Sequence, residues 1–237
     1  SSPDLDLPAG MVVNATHLVN YDDVAASSAT DSVESRRVVW TVTGDATTMP
    51  NILAWQKRAL SPTQHVWFGP DNNGQSDGVR ADLPDQQMLT SPSMHVGTAP
   101  LTLSFSHRFS FENGGWDGGV IEISTDNGGT WAPVAAPYNG VTNAATTTPI
   151  GPNRAAFVNR MAGWPTFAPV TVNLGTTYAN QDIRIRFRVG ADESTGAPGW
   201  EIDDIAISGI TNTPFPALLP ESSVCRPHDH DDDDDRH

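Results

Sequence analysis

Cysteine is almost missing from this sequence, since Cys225 is the only one among 237 residues. A single cysteine cannot form an internal disulfide, so we expect a hydrophobic core rather than a disulfide framework to hold the fold together. Long apolar runs are missing too, because no window approaches the roughly 20 apolar residues that span a bilayer. The length suits one large β domain or two small ones with a substantial core.

Basic residues are few, with 13 Lys and Arg against 28 Asp and Glu and a formal net charge of −15. This balance excludes a nucleic-acid-binding surface, which requires a basic stripe. Part of the negative charge lies in the terminal segment RPHDHDDDDDRH, residues 226–237. Dense carboxylates beside histidines attract divalent cations loosely, but a solvated tail is the interpretation we favour.

Catalytic motifs are also missing. No two of the seven histidines have the His-Glu-x-x-His spacing of a zinc peptidase, and no Gly-x-Ser-x-Gly elbow occurs. The glycine-rich GGWDGG, residues 114–119, lacks the lysine of a P-loop. A glycosidase needs two carboxylates, and Glu122 has no partner acid at a matching strand position that we can identify. We therefore expect no catalytic site, with a glycan-active enzyme as a minor alternative.

Short alternating segments dominate the chain and predict β-strands separated by Gly and Pro turns. In residues 183–189, Ile, Ile, Phe and Val alternate with three arginines, and STDNGGTW (124–131) is typical of a hairpin. The only helix candidate, MPNILAWQKRAL (49–60), fits a strand equally well. The pattern predicts an all-β fold, an antiparallel β-sandwich of the jelly-roll type, galactose-binding or MAM-like. The remaining predicted strands are 36–44, 65–69, 100–112, 118–126, 168–175 and 200–210.

Three regions follow from the distribution of these strands. Residues 1–35 are a weakly patterned extension that adds at most an edge strand, within GMVVNATHLVNY. Residues 36–213 form the sandwich, and residues 214–237 are a proline-rich linker with the acidic tail. Within the sandwich, residues 138–165 are polar and rich in turns, which predicts a long loop over one end of the sandwich.

The order of several motifs resembles a known family. DGGVIEISTDNGGTW (117–131), GPNRAAFVNRMAGWP (151–165) and PGWEIDDIAISG (198–209) are similar to the C-terminal accessory β domain of secreted bacterial fungalysin-type zinc metallopeptidases. A more distant likeness is to MAM and immune-inhibitor-A domains. Over about residues 36–216, the resemblance implies a jelly roll, export from a bacterium and a non-catalytic role beside a protease domain. Because the chain begins at Ser1 without an apolar leader, we expect a processed piece of a longer product.

The carboxylates of three segments suggest a structural calcium site, because calcium binds six to eight hard oxygens from irregular segments. In a strand, Asp203 and Asp204 point to opposite faces, and we expect Asp204 to face inward on the side of Ile202. The alternative is that Asp117 starts a turn and Asp203 pairs with Arg184, Arg186 or Arg188. The candidate calcium ligands are Glu34, Glu112, Asp117, Asp203 and Asp204.

Two tryptophans in loops, Trp116 and Trp164, are candidates for stacking against sugars. Trp131 and Trp200 are expected to pack the ends of the sandwich, and His107 is expected to be a hydrogen-bonded core residue. The sequence thus predicts a non-catalytic, calcium-stabilised extracellular module that attaches its parent to a glycan or protein surface. The alternative is a structural protein in which identical copies pack through strand edges and the tail.

Overall fold

The computed structural model describes residues 27–45, 54–71 and 84–217, which form two large antiparallel β-sheets packed face to face and a third sheet of two short strands. These residues contain strands and no α-helix, which confirms the predicted all-β jelly-roll sandwich. No helix in the described part of the chain has the length and hydropathy needed to cross a bilayer. The candidate edge strand in residues 10–21, Cys225 and the acidic tail lie outside the described residues.

The first sheet, here called the front sheet, contains two of the longest strands in adjacent positions, β8 (Leu101–Ser110) and β15 (Gly199–Ser208). The short strand β2 (Thr30–Asp31) pairs with β15 beside this path. In spatial order the front sheet is β13 (Ala168–Gly175), β8 (Leu101–Ser110), β15 (Gly199–Ser208), β5 (Gln64–Gly69) and β4 (Gln56–Ser61).

The second sheet, the back sheet, is centred on β9 (Gly118–Ser124) and β14 (Asp182–Ala191). Two short strands lie off its path, β10 (Ala132–Pro133) on β9 and β7 (Met94–His95) on β14. Its spatial order is β11 (Gly140–Val141), β12 (Ala155–Val158), β9 (Gly118–Ser124), β14 (Asp182–Ala191), β6 (Asp85–Thr90) and β3 (Thr41–Gly44).

Residues on both sides of the predicted sandwich region also form strands. β1 (Ser27–Ser28) pairs with β16 (Phe215–Pro216), and Phe215 is buried in the main core. Most predicted strands match the observed ones within two residues, but the predicted strand 36–44 is reduced to β3. The ambiguous segment 49–60 contains a strand, β4, and the residues before 54 lie outside the described part.

Alternation explains why the two sheets pack together. In β14 the four apolar side chains from Ile183 to Val189 are buried, while the three arginines between them face away from the core. β8 alternates in the same way, with Leu101, Leu103, Phe105 and Phe109 inside. Burial of each such side chain contributes about 1.5–3 kcal/mol relative to exposure.

Aromatic residues fill the centre of the core around Trp200. Its indole N–H donates to His107 Nδ1 at 3.1 Å, and its ring lies 5.3–5.6 Å from those of Phe157 and Phe187. Gly119 makes this packing possible, because a Cβ there would lie 2.5 Å from the Trp200 ring. Trp200, which was expected to pack an end of the sandwich, is fully buried in the main core near the start of β15, and the prediction that His107 is a hydrogen-bonded core residue is confirmed.

The polar region 138–165 is not purely a loop, because it contributes β11 and β12 to the edge of the back sheet. Between these strands the chain crosses the outer surface of that sheet. There Ile150 forms a small second core with Val120, Ala156 and Val158. The prediction that this region covers one end of the sandwich was wrong in this respect, since apolar contacts draw it over a sheet face.

Candidate metal centre and binding face

Four acidic residues meet at one end of the sandwich, where strands of both sheets begin or end. Asp71 follows β5, Glu112 follows β8, Asp117 precedes β9 and Asp192 follows β14. Carboxylate oxygens of Glu112, Asp117 and Asp192 all lie within 4.8 Å of one another. Asp71 lies within hydrogen-bonding reach of Asp117. We call these four residues the acidic cluster.

Backbone amides hold one oxygen of each aspartate in this cluster. Asp192 N–H donates to Asp117 Oδ1 at 2.7 Å, Ala197 N–H to Asp71 Oδ2 at 3.2 Å, and Ser194 N–H to Asp192 Oδ1 at 2.9 Å. Apart from the contact between the Asp71 and Asp117 carboxyl groups themselves, the second oxygens of these two aspartates are buried with no hydrogen-bond partner among the described residues, and so is Glu112 Oε2. Asp71 and Asp117 are themselves 0% exposed. The amides therefore orient the carboxylates and leave buried oxygens unsatisfied.

The four carboxyl groups of the acidic cluster have no positively charged side chain as a partner among the described residues. Burial raises the pKa of Asp117 to about 7, and the charges of Asp192 and Glu112 act in the same direction. Burial also raises the pKa of Asp71 well above its usual range, with the neighbouring Asp117 adding to the effect. No lysine or arginine of the described residues forms a salt bridge with these four carboxylates. Buried carboxylates without cationic side chains are costly in isolation, and a divalent cation would offset that cost.

The donor set fits calcium better than the softer metals. All four side chains offer hard carboxylate oxygens, and they come from irregular segments next to strands. Calcium prefers such oxygens at 2.3–2.6 Å, whereas structural zinc takes cysteine and histidine. The arrangement can therefore hold a hard divalent cation that ties together ends of strands from both sheets.

The acidic cluster contains two of the five predicted metal ligands, Glu112 and Asp117. Two of its members, Asp71 and Asp192, were not predicted. Each follows a glycine by two residues at the end of a strand, in Gly69-Pro70-Asp71 at the end of β5 and Gly190-Ala191-Asp192 at the end of β14. This shared Gly-x-Asp pattern after a strand is the signal that sequence reasoning missed.

Asp203 and Asp204 lie elsewhere, and the expected orientation of Asp204 was wrong. Asp204 is exposed and has a φ of +49°, at a break in the register of β15 between Asp203 and Ala206. This bulge turns Asp204 out and lets Ile205 enter the core. Asp203 is buried instead, and accepts a hydrogen bond from Gln64 at 3.3 Å rather than from an arginine. Burial raises the pKa of Asp203 to about 6.

Glu34, the remaining predicted ligand, lies with His65 and not with the acidic cluster. Its carboxylate accepts a hydrogen bond from the backbone N–H of His65 and lies 2.8 Å from the His65 ring nitrogen Nδ1. The two side chains thereby link the segment before β3 to β5.

A second group of buried charges crosses the outer surface of the back sheet. Glu122 is in contact with three arginines, Arg154 and Arg186 at 2.5 Å and Arg188 at 3.4 Å. Burial alone would raise the pKa of Glu122, but the hydrogen bond from Arg154 and the charges of Arg186 and Arg188 lower it. A glycosidase acid needs a raised pKa, so this environment does not favour the catalytic alternative for Glu122. We call these four residues the arginine cluster.

The outer surface of the front sheet carries a row of guanidinium and aromatic groups at one register. Glu201 is opposite Arg108 on β8 and Phe68 on β5, and it forms salt bridges with both Arg108 and Arg58. The Arg58 guanidinium lies 4.1 Å from the centre of the Phe68 ring. At the other end, the Arg108 guanidinium lies 4.7 Å from the Phe167 ring and 5.6 Å from the Trp164 ring. We call these six residues the aromatic face.

The two predicted stacking residues have different surroundings. Trp164 is half-buried at the edge of the aromatic face, next to Arg108. Trp116 is also half-buried, and its carbonyl accepts a hydrogen bond from Thr146 in the segment that crosses the back sheet. The structure therefore places Trp164, but not Trp116, in a row of other aromatic groups.

No protein-family model matches the sequence, and no curated protein matches it either. Among solved structures, 35 chains match. One is the K1 cleaved adhesin domain of Lys-gingipain from Porphyromonas gingivalis W83, with 12% identity, a TM-score of 0.45, and coverage of 76% of this chain and 96% of that one.

Two further matches are carbohydrate-binding modules. A family 28 module specific for non-crystalline cellulose has 11% identity, a TM-score of 0.40, and coverage of 77% and 93%. A family 61 module in complex with β-1,4-galactotriose has 15% identity, a TM-score of 0.37, and coverage of 71% and 86%. These similarities are confined to the β-sandwich architecture.

Proposed function

We propose that this chain is a non-catalytic extracellular binding module whose ligand is a glycan on a polysaccharide or glycoprotein surface. The observation that carries the proposal is the aromatic face. Six side chains of complementary chemistry lie across the front sheet there, and Arg58, Phe68, Trp164 and Phe167 keep part of their surface in solvent. Modules of the same architecture in the solved structures described above are named as binding carbohydrate, which supports the same class of ligand.

The chemistry of this face suits sugars. Aromatic rings offer flat apolar surfaces for the C–H faces of a pyranose, and guanidinium groups donate hydrogen bonds to hydroxyls. Glu201 holds Arg108 and Arg58 in place, and Arg108 also donates to the Pro165 carbonyl at 2.9 Å. Ordered side chains lose little entropy on binding, so the face is preorganised.

A glycan array with two variants tests this function. We expect the wild-type protein to bind a subset of glycans, and Trp164→Ala to weaken that binding by about tenfold through loss of ring contact. Trp116→Ala is the matched control, since it removes a half-buried tryptophan outside the aromatic face. Loss of binding in Trp116→Ala and retention in Trp164→Ala would place the site elsewhere. Self-association without glycan binding would favour the assembly alternative.

We also propose that calcium stabilises the module at the acidic cluster. The support is the set of buried carboxylate oxygens without partners, in a donor arrangement that suits a hard cation. Calorimetric titration of chelator-treated protein should give one calcium site, and Asp117→Asn should abolish it or weaken it by at least about tenfold. Equal calcium binding by the wild-type protein and the variant would rule out this location.

Secretion from a bacterium beside a zinc metallopeptidase domain is a further part of the proposal. It is supported by the motifs at 117–131, 151–165 and 198–209 and by the surface chemistry of an attachment module. Sequencing the complete gene tests it: a His-Glu-x-x-His motif upstream in the same reading frame is the expected result. A precursor without a peptidase domain would contradict it.

A further inference from the structure

A cleft of about 320 Å³ lies beside the acidic cluster. Its wall includes Glu112, which is also one of the four residues of that cluster. A volume of this size is at the lower end of the range for small-molecule sites. The residues that line the cleft are Ser110, Phe111, Glu112, Asn113, Arg160, Thr195, Gly196 and Ala197.

The cleft continues the aromatic face. Arg108 and Ser110 point to the same side of β8, two residues apart, so the wall of the cleft begins about 7 Å beyond the guanidinium row. Arg160 forms a β-bridge with Ser110, and its Nε donates to Ser110 Oγ at 3.2 Å. A chain of sugars on the aromatic face can therefore reach the metal end of the sandwich without leaving the surface.

The ligands of the metal are buried to different extents. Asp71 and Asp117 are fully buried, and Asp192 is 6% exposed, whereas Glu112 is half-buried. Calcium takes six to eight oxygens, more than the side chains of the cluster supply. Of the four residues only Glu112 lines the cleft, so Glu112 marks the side of the acidic cluster from which a ligand in the cleft would approach.

We propose that calcium at the acidic cluster directly coordinates two adjacent hydroxyls of a sugar bound in this cleft. The inference rests on the proposed glycan-binding function and identifies calcium as one of its ligand contacts. The terminal amino groups of Arg160 have no partner among the described residues, and they provide donors in the wall of the cleft. Asn113 and Thr195, both exposed, add an amide and a hydroxyl to the wall.

The net charge of the calcium-bound acidic cluster determines whether a neutral or an anionic sugar binds there. Four carboxylates around one divalent cation leave the site negative, and Arg160 offsets only part of that charge. An anionic sugar would meet net repulsion at the metal, while neutral hydroxyls add no charge. The ligand is therefore a neutral sugar with a pair of adjacent hydroxyl groups.

Terbium luminescence on the intact chain tests direct coordination, because the lifetimes in H₂O and D₂O report the number of water molecules bound to the ion. We expect methyl α-mannoside or methyl β-galactoside to displace about two waters from the bound terbium, one for each hydroxyl that coordinates. Sodium glucuronate should displace fewer waters at equal concentration. Unchanged lifetimes with both neutral glycosides would overturn the proposal, and stronger displacement by glucuronate would overturn the neutral class.

A pair of arginine variants separates the sugar contact from the metal site. Arg160→Ala should weaken methyl glycoside binding by about tenfold, since it removes hydrogen bonds from a charged donor, and should leave terbium affinity unchanged. Arg37→Ala, which removes an exposed arginine in the segment before β3, should change neither. Equal glycoside affinity in Arg160→Ala and wild-type protein would contradict the cleft as the site.

The two proposals fail in distinguishable ways. If glycans on an array bind the wild-type protein and Arg160→Ala equally, but bind Trp164→Ala weakly, the calcium–sugar contact is wrong and the glycan-binding function stands. If calcium-loaded wild-type protein binds no glycan on the array, the function itself is wrong.

Discussion

The acidic cluster and the arginine cluster resolve the same electrostatic problem in opposite ways. Both contain carboxylates that are buried next to a central strand of the back sheet, β9. Glu122 has three guanidinium groups as partners and a lowered pKa, whereas Asp117 has three carboxylates as neighbours and a raised pKa. The arginine cluster has its counter-charges within the chain, whereas we propose that a calcium ion from solution supplies them to the acidic cluster.

This difference assigns the two clusters to different roles. A carboxylate with its own arginines contributes to stability under any ionic condition, apart from salt screening. Carboxylates oriented by backbone amides and left without a cation make stability depend on the metal concentration. On the proposed account, the arginine cluster stabilises the fold at any metal concentration, and the acidic cluster makes stability depend on calcium.

The largest expected effect comes from breaking the arginine cluster. Glu122→Gln should lower the free energy of unfolding by about 3 to 5 kcal/mol, because three mostly buried guanidinium groups lose their counter-charge. The loss should be equal in calcium and in chelator, as measured by urea unfolding. Asp182→Asn, at an exposed pair with His95, is the control and should change stability by less than about 0.5 kcal/mol. A loss that appears only in calcium would contradict the separation of the clusters.

The dependence of stability on pH provides a second comparison, because the buried His107 belongs to neither cluster. Burial lowers the pKa of His107 to about 4. Its neutral form is favoured in the folded state, so its contribution is present above pH 6.5 and is lost as the pH falls toward 4, by about 3 kcal/mol. Urea unfolding in chelator at both pH values should show a smaller acid loss for His107→Gln than for wild-type protein. Identical acid losses would mean that His107 does not titrate in this way.

The effect of Asp117→Asn on the free energy of unfolding should have opposite signs with and without calcium. No variant of the arginine cluster should show this reversal. In calcium the variant should be less stable than wild type by about 2 kcal/mol, since a ligand of the bound ion is lost. In chelator it should be more stable by about 1 kcal/mol, because one repelling charge is removed. Thermal unfolding in both buffers measures this, and destabilisation in both would show that the carboxylate has a different partner.

The smallest expected change in the free energy of unfolding comes from the Trp131 ring, which contacts the arginine cluster. The Arg186 guanidinium lies 4.2 Å from the centre of the Trp131 ring. Trp131→Leu should cost about 0.5–1 kcal/mol, as expected for a cation–π contact near the surface. A loss as large as that of Glu122→Gln would mean that the ring, rather than the carboxylate, holds the arginines.

Sequence periodicity predicted the fold well because the long strands alternate cleanly. Residues 183–189 show this best, with every apolar side chain inside and every arginine outside. Alternation failed at Asp204, where a residue with positive φ shifts the parity of β15. The sequence EIDDI contains no pattern that predicts this bulge. Strand alternation alone therefore could not predict which of the two aspartates is buried.

Only the local half of the acidic cluster could be predicted. Glu112 and Asp117 flank one glycine-rich loop, so their proximity follows from the sequence. Asp71 and Asp192 join them only because β5, β8, β9 and β14 present their ends at the same side of the sandwich. The aromatic face has the same origin, since Phe68, Arg108 and Glu201 become neighbours through strand register.

The melting temperature of chelator-treated wild-type protein, measured as calcium is added, tests the central claim most directly. If calcium completes the acidic cluster, the melting temperature should rise by about 5–10 °C and then level off at saturation. The same titration of Asp117→Asn should give little or no rise. A wild-type melting temperature that is identical in calcium and in chelator would contradict the account.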